Sequence, residues 1–205
     1  MYTKTFFRQI GATMSGDRVD FKIVVLGSEN CGKTSLVEKF IFNKSVTEEY
    51  QNTIGAAFGA KSIFVLGRKI NIGIWDTSGS ERYEPISKLY YKTAQAAILC
   101  YDPKDLDSYH KLIFWLNEIS ENEPSTKLYI CATKIDLVKH DPSESLIEQL
   151  KINELALEFN AKTFETSAKT GENVKLLFRR IAKDFLLHKS TIFKCHKNNN
   201  CCLIS

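Results

Sequence analysis

The stretch Gly27-Ser28-Glu29-Asn30-Cys31-Gly32-Lys33-Thr34 decides the fold of this chain. An apolar, β-branched run at residues 21–26 precedes it and predicts a buried strand. Residues 35–40 follow it with apolar side chains at helical spacing. Strand, glycine loop and helix start together match the pattern G-x-x-x-x-G-K-[ST] of a phosphate-binding loop in the context that this pattern requires. An ordinary glycine-containing turn is the weaker interpretation, because later segments complete a site.

The phosphate-binding loop has a physical reason for each of its residue types. Glycines let backbone N–H groups surround an anion without clashes from Cβ atoms. The N-terminus of the following helix adds a partial positive charge. Lys33 can reach the terminal phosphates of a nucleotide, and the Thr34 hydroxyl can ligate Mg²⁺.

Length and composition indicate one domain with tails. The chain has 205 residues, of which 43% are hydrophobic, so it can bury a full core. A net charge of +4 is mild and does not indicate nucleic acid as a partner. Three of the six cysteines lie in apolar or phosphate-loop segments and three near the C-terminus, which suits a reducing cytosol rather than a disulfide framework. No apolar stretch approaches the length of a membrane span.

Three regions are predicted along the chain. Residues 1–19 are interpreted as a disordered N-terminal extension; a transit peptide and an alternative start at Met14 are the weaker alternatives. Residues 20–187 form the globular domain. Residues 188–205 are interpreted as a flexible tail, since they lack an apolar period and contain Asn198-Asn199-Asn200.

Strand and helix patterns alternate through the domain. Further strands are predicted at 58–66, 69–76, 95–101, 128–132 and 164–165, and helices at 107–120, 146–159 and 173–187. The turn of the first strand pair is placed at Gly67-Arg68. This alternation predicts an α/β fold of the phosphate-loop NTPase type: a mostly parallel six-stranded sheet with helices on both faces and ligands at the carboxyl ends of its strands. Asp76 ends a strand and suits Mg²⁺, while Gly79 lets the backbone approach a γ-phosphate.

Five segments resemble the nucleotide motifs of Ras-type small GTPases, over roughly residues 20–187. They are the phosphate-binding loop, Thr53-Ile54-Gly55, Trp75-Asp76-Thr77-Ser78-Gly79, Thr133-Lys134-Ile135-Asp136 and Glu165-Thr166-Ser167-Ala168-Lys169. Residues 54–58, 82–86 and 90–94 are similar to stretches typical of the Rab branch. The run from Tyr50 to Phe58 and the unusual Ser80 resemble the Rab subfamily numbered twenty-four.

The resemblance implies a GTP/GDP switch with Mg²⁺, held by Thr34, Thr53 and Asp76. Asp136 would accept hydrogen bonds from a pair of donors on guanine, and adenine lacks that pair. Lys134 would pack the stem of its side chain along the base. Ser167 and Ala168 would contact the guanine oxygen. Catalytic roles are implied for Lys33, Thr53, Gly79 and Ser80. Further nucleotide contacts are implied for Gly27, Glu29, Asn30, Cys31, Gly32, Ser35, Tyr50, Thr133 and Lys169.

The chain departs from the family pattern at several positions. Thr133 stands where the family has Asn, so one contact to the base or between loops is in doubt. Ser45 and Val46 occupy the region of the usual aromatic ring on the base. Phe42 could replace that ring, although we interpret it as a core residue. Ser78 stands where most Rabs have Ala. Ser80 replaces the usual Gln, so slow hydrolysis is expected. Glu29 either repels the γ-phosphate or points to solvent.

The C-terminus ends in Cys201-Cys202-Leu203-Ile204-Ser205, which fits a prenylation signal at Cys202 with Cys201 available for a second lipid. A zinc site formed with Cys195 and His196 has poor spacing. The resemblance implies a monomer on the cytosolic face of intracellular membranes, acting in vesicle trafficking, with autophagy as the more specific expectation. The implied partners are effectors that bind switch I and switch II, an exchange factor, and a GDP-dissociation inhibitor or escort protein.

The rival interpretations are a nucleotide-binding scaffold without useful turnover and a phosphate-loop ATPase or kinase.

Overall fold

Strand β1 (Phe21–Gly27) is buried along nearly all of its length and ends at the phosphate-binding loop. The computed structural model that shows this describes residues 18–44, 53, 55–79, 84–139, 145 and 147–197, and describes only the backbone at 84–87 and 190–197. The other strands are β2 (Ala56–Val65), β3 (Arg68–Thr77), β4 (Ala96–Tyr101), β5 (Lys127–Ala132) and β6 (Lys162–Glu165). The helices are α1 (Lys33–Phe42), α2 (Glu84–Tyr91), α3 (Leu106–Asn122), α4 (Gln149–Glu158) and α5 (Val174–Lys197), with one 3-10 turn at Ile135–Leu137.

The six strands form one sheet in the order β2-β3-β1-β4-β5-β6. Only β2 and β3 are antiparallel, and every other neighbouring pair is parallel. The predicted mostly parallel sheet is therefore confirmed. Because the carboxyl ends of the parallel strands meet at one edge, the loops that follow them are brought together there.

Helices cover both faces of the sheet, as predicted. On one face, α1 and α5 pack together, and the rings of Phe40 and Phe178 stack with centroids 3.8 Å apart. On the other face, Trp115 of α3 and Ile152 of α4 belong to the apolar cluster formed with Val24 of β1. Alternate residues of β1 enter the two clusters, since successive side chains of a strand point to opposite faces. Both faces thus hold the strand that presents the phosphate-binding loop.

The hairpin between β2 and β3 differs from the prediction by one residue. The strands end at Val65 and restart at Arg68, so the turn is Leu66-Gly67 rather than Gly67-Arg68. Both turn residues have positive φ, 49° and 72°. A two-residue hairpin loop requires such angles because they match the twist of the flanking strands.

Helix α5 continues ten residues beyond the predicted end at residue 187. Its backbone is helical to Lys197, so the interpretation of His188 to Lys197 as a flexible linker is wrong. No Gly or Pro occurs after Gly171 to stop the helix. Within the domain, the helix is held by Phe185, which stacks on Phe21 at 4.4 Å between ring centroids. In the part of the chain that the structure describes, no helix combines the length and hydropathy needed to cross a bilayer.

Candidate functional site

The loop between β1 and α1 turns tightly because Gly27, Asn30 and Gly32 have φ angles of 147°, 60° and 92°. A Cβ atom at Gly27 would lie 2.3 Å from the Cys100 carbonyl oxygen on the neighbouring strand, so a side chain is excluded there. Asn tolerates the left-handed region better than most residues. The loop therefore curls its backbone around the N-terminus of α1, which is a favourable place for an anion.

The ammonium group of Lys33 joins two segments of the site. The residue is only 4% exposed. Its Nζ atom donates hydrogen bonds to the carbonyl oxygens of Gly27 at 3.0 Å and Ser28 at 2.5 Å, and to that of Ser78 at 3.4 Å. Ser78 follows β3, so this one cation lies between the phosphate-binding loop and the segment that contains Gly79.

Gly79 brings the chain after β3 directly onto the phosphate-binding loop. Its φ angle is 86°. A Cβ atom there would lie 2.4 Å from Lys33 Nζ and 2.6 Å from the backbone nitrogen of Glu29. Only glycine allows this approach, because these distances are far below any van der Waals contact.

The three predicted Mg²⁺ ligands also come together. The hydroxyl oxygens of Thr34 and Thr53 lie 2.9 Å apart, although 19 residues separate them in the chain. Asp76 is buried, and its Oδ1 atom has no hydrogen-bond partner among the described residues. Burial raises the pKa of Asp76 to about 6, against the opposing effects of a hydrogen bond from Thr34 and the charge of Lys33. Two hydroxyls beside a carboxylate with an unsatisfied oxygen suit the hard, oxygen-seeking Mg²⁺ ion.

The loops after β5 and β6 are tied to each other at Asp136. The Ser167 hydroxyl donates to Asp136 Oδ1 at 2.5 Å and accepts from the Thr170 backbone N–H at 3.1 Å. Ser167 is fully buried. Its single proton is therefore directed to Asp136, which fixes the carboxylate and leaves Oδ2 for another donor.

Thr133 makes a contact between two loops of the site. The sequence had left this contact in doubt, because the family has Asn at this position. Its hydroxyl donates to the carbonyl oxygen of Cys31 in the phosphate-binding loop and lies 3.0 Å from the Tyr101 carbonyl oxygen. The side chain is buried. The shorter threonine thus still links the loop after β5 to the phosphate-binding loop.

We expect Thr133→Val to raise the GDP dissociation rate about tenfold, or roughly 1.4 kcal/mol, since it leaves the Cys31 carbonyl oxygen of the phosphate-binding loop without this donor. The isosteric change keeps the volume of the side chain. Thr126→Val is the matched control, because the Thr126 hydroxyl also donates to a buried backbone carbonyl, that of Ala94 at 2.7 Å, but before β5 rather than after it. Stopped-flow release of a fluorescent GDP measures the rates. Equal rates in both variants would show that Thr133 does not support the nucleotide site.

Asp102 belongs to the site although sequence analysis assigned it no role. Its Oδ2 atom lies 2.8 Å from Lys134 Nζ, and its Oδ1 atom accepts from the Lys104 backbone N–H at 3.0 Å. Lys134 has a φ of 52°, and its Cε atom lies 3.7 Å from where a Cβ on Gly32 would be. The stem of Lys134 therefore lies over the phosphate-binding loop with its charge fixed by Asp102. The sequence could have indicated Asp102, because it is an acid at the end of a strand, and this same pattern led to the prediction for Asp76.

The remaining predicted residues divide into three groups. Ser35 and Ala168 are half-buried at the site, whereas Glu29, Asn30 and Lys169 are exposed. Phe42 is 52% exposed at the end of α1, so its interpretation as a core residue is wrong. The predictions for Tyr50, Ser80, Cys201 and Cys202 lie outside the described residues.

Comparison with known proteins gives one consistent family. The sequence profile of the Ras family matches residues 22–187. The chain is 38% identical over 187 residues to the Ras-related protein Rab-24 of Dictyostelium discoideum, covering 91% of this chain and 87% of that protein. It is 38% identical over 165 residues to Ras-related protein Rab-5A of the same organism, covering 80% and 79% of the two chains. It is 35% identical over 188 residues to the Ras-like GTP-binding protein RYL2 of Yarrowia lipolytica, covering 90% and 89%.

Proposed function

This chain belongs to the Ras family as a Rab-type small GTPase, and we propose that it is a GTP/GDP switch acting in membrane trafficking with slow intrinsic hydrolysis. One observation carries the proposal most directly. Thr53, from the segment between α1 and β2, and Gly79, from the segment after β3, both reach the phosphate-binding loop. Two separate segments that meet at one phosphate site can respond together to the presence of a γ-phosphate.

We assign phosphate binding to the loop backbone and Lys33. The left-handed turns at Asn30 and Gly32 shape the backbone for an anion, and the buried ammonium group supplies a charge for the terminal phosphates. The Gly79 backbone would donate to a γ-phosphate oxygen, since no Cβ keeps it at a distance. Groups held in place by the fold can stabilise developing charge at little cost of reorganisation.

We assign Mg²⁺ to the Thr34 and Thr53 hydroxyls, with Asp76 holding it through water. When bound, Mg²⁺ neutralises charge on the β- and γ-phosphates. Thr53 is the ligand that would join only in the GTP state, so its position reports the nucleotide. Thr34 would stay in place in both states because it lies in the first turn of helix α1, next to Lys33.

We assign guanine recognition to Asp136, with Ser167 and Ala168 at the guanine oxygen. Ser167 orients Asp136 as described above, and Oδ2 is available for the donors on the guanine ring. Adenine lacks that pair of donors, so a fixed acceptor at this place disfavours ATP. This argues against the rival interpretation as an ATPase or kinase.

We infer that effectors recognise switch I around Thr53 and switch II after Gly79 in the GTP state. An exchange factor and a GDP-dissociation inhibitor or escort protein are the regulators that a Rab-type switch requires. Lipids on Cys202, and on Cys201 as a second site, would hold the monomer on the cytosolic face of intracellular membranes, because stable anchoring takes two signals. Autophagic membranes are among the compartments that we propose.

Ser80 sets the proposed slow turnover. In related GTPases, Gln at this position orients the attacking water, and the Ser hydroxyl is too short to reach the same place. We expect Ser80→Gln to speed single-turnover GTP hydrolysis about tenfold or more, roughly 1.4 kcal/mol off the barrier. Rapid-quench measurement of phosphate from GTP-loaded protein tests this.

The matched control is Ser78→Ala. It restores the residue that the family has at position 78, close to Ser80, and it should leave the hydrolysis rate unchanged. Hydrolysis by the wild type at an ordinary Rab rate, or a slower Ser80→Gln variant, would contradict the role of Ser80. Complete absence of hydrolysis in both proteins would favour the alternative, a nucleotide-binding scaffold.

A further inference from the structure

Helix α5 concentrates the positive charge of the protein. It contains seven Lys or Arg residues and a single acid, Asp184. The whole chain has a net charge of only +4, so the remainder of the chain is net acidic. The basic character therefore belongs to this helix and not to the surface in general.

The single acid of the helix is already paired. Asp184 contacts Lys162 Nζ at 2.5 Å and Arg180 Nε at 3.2 Å, and it accepts a hydrogen bond from the Tyr129 hydroxyl at 2.8 Å. It connects α5 to β5 and β6. It therefore does not compensate the charges on the outer side of the helix.

Three cations form a continuous exposed face of α5, which we call the basic face: Lys175, Arg179 and Lys183. Their spacing of four residues places them on one side of the helix, within about 12 Å along its axis. All three are exposed, and none forms an ion pair with any residue that the structure describes. The opposite side, with Leu177 and Phe178, is buried in the core.

The neighbouring strand does not neutralise the basic face. Lys61 of β2 donates to the carbonyl oxygens of Phe40 and Ile41 at the end of α1, and its pKa is lowered by burial and by the nearby charge of Lys175. The adjacent group is thus another cation. An anionic partner would relieve this accumulation of like charge.

The short segment between the end of α5 and Cys202 indicates which anionic partner the basic face would meet. Helix α5 ends at Lys197, and Cys202 follows five residues later. Five residues span at most about 18 Å. A lipid on Cys202 would therefore keep the end of the helix within about two Debye lengths of the membrane surface at physiological salt.

We propose that the basic face of α5 binds the anionic phospholipid surface of the membrane that anchors the protein. The proposal rests on the lipid anchor of the proposed function. It adds that the side of the domain that carries α5 faces the membrane. Helices α3 and α4 cover the opposite face of the sheet and would then point to the cytosol.

The test uses the full-length prenylated protein loaded with GDP. Its partition is measured by co-flotation with vesicles of phosphatidylcholine alone or of phosphatidylcholine mixed with phosphatidylserine. The test variant is Arg179→Glu/Lys183→Glu, which leaves Lys189, Lys194 and Lys197 unchanged. The matched control is Lys111→Glu/Lys151→Glu, an equal change of charge on α3 and α4. Thermal unfolding establishes that both variants fold.

We expect the wild type and the control variant to prefer the phosphatidylserine vesicles, and the test variant to bind them at least about tenfold more weakly, since each base near such a surface contributes about fivefold. Equal partition of the test variant and the wild type, or equal losses in the test and control variants, would overturn the proposal while leaving the lipid anchor intact. Failure of the prenylated wild type to bind either vesicle would instead overturn the anchor of the proposed function.

Discussion

Replacing Asp136 with Asn is expected to shift the base preference of the protein from guanine to xanthine. The carboxylate is proposed to accept hydrogen bonds from the guanine ring, whereas an amide would place a donor against guanine donors. Xanthine carries a carbonyl oxygen where guanine carries its amine, so the amide then has a matching acceptor. Two lost or mismatched hydrogen bonds should weaken GTP binding at least about a hundredfold.

Ser167 makes this prediction specific to the structure. Its hydroxyl donates to Asp136 Oδ1 at 2.5 Å, and the same hydroxyl would hold the amide oxygen of an Asn at this position. The amide nitrogen is then turned toward the base. Adding Ser167→Ala to Asp136→Asn should remove this orientation and reduce the gain for xanthine nucleotides.

Competition of GTP and XTP against a fluorescent GDP measures the shift. Asp20→Asn is the control, because Asp20 accepts from the Asn71 backbone N–H at 2.8 Å at the other end of β1. It should leave base preference unchanged. Unaltered preference in Asp136→Asn would mean that the base binds elsewhere.

Replacing Thr34 with Asn is expected to weaken GTP binding far more than GDP binding. The Thr34 hydroxyl is 2.9 Å from that of Thr53, and it opposes the rise in the pKa of the buried Asp76 carboxyl, so it is central to the proposed Mg²⁺ site. The GTP state relies most on the metal because it carries the additional charge of the γ-phosphate. The ratio of GTP to GDP affinity should fall at least about tenfold, or roughly 1.4 kcal/mol.

Thr53→Val gives a matched comparison at the other hydroxyl. It should lower GTP affinity and leave GDP affinity unchanged, since Thr53 is proposed to join the metal only with a γ-phosphate present. Isothermal titration with each nucleotide, with Mg²⁺ and with EDTA, measures both variants. An equal loss of GTP and GDP binding in Thr34→Asn would contradict the proposed role of Thr34.

The parts of the fold that depend on local pattern could be predicted from the sequence. The phosphate-binding loop, its strand and its helix are contiguous, and their glycines and apolar spacing carry the necessary information. The parallel sheet followed from the alternation of strands and helices. Helix α2 was not predicted, because it has only eight residues and contains Pro85 near its start. The end of α5 was predicted too early, because a polar composition does not stop a helix that lacks Gly and Pro.

The parts of the site that depend on tertiary contacts could not be predicted. Thr133 looked like the loss of a contact, yet the fold places the Cys31 carbonyl within reach of its shorter side chain. Asp102 lacked a role because its partner, Lys134, is 32 residues away in sequence. Phe42 was assigned to the core from its type, but α1 ends there and leaves the ring half exposed.

The central claim is that this protein is a Mg²⁺-dependent switch specific for guanine nucleotides. Displacement of a fluorescent GDP from the wild-type protein by unlabelled GTP and ATP, with Mg²⁺ and with EDTA, tests it most directly. We predict displacement by GTP at concentrations at least about a thousandfold lower than by ATP, as expected for a site built to hydrogen-bond one base, and faster release of GDP in EDTA. Equal displacement by ATP and GTP, or no effect of EDTA, would contradict the account.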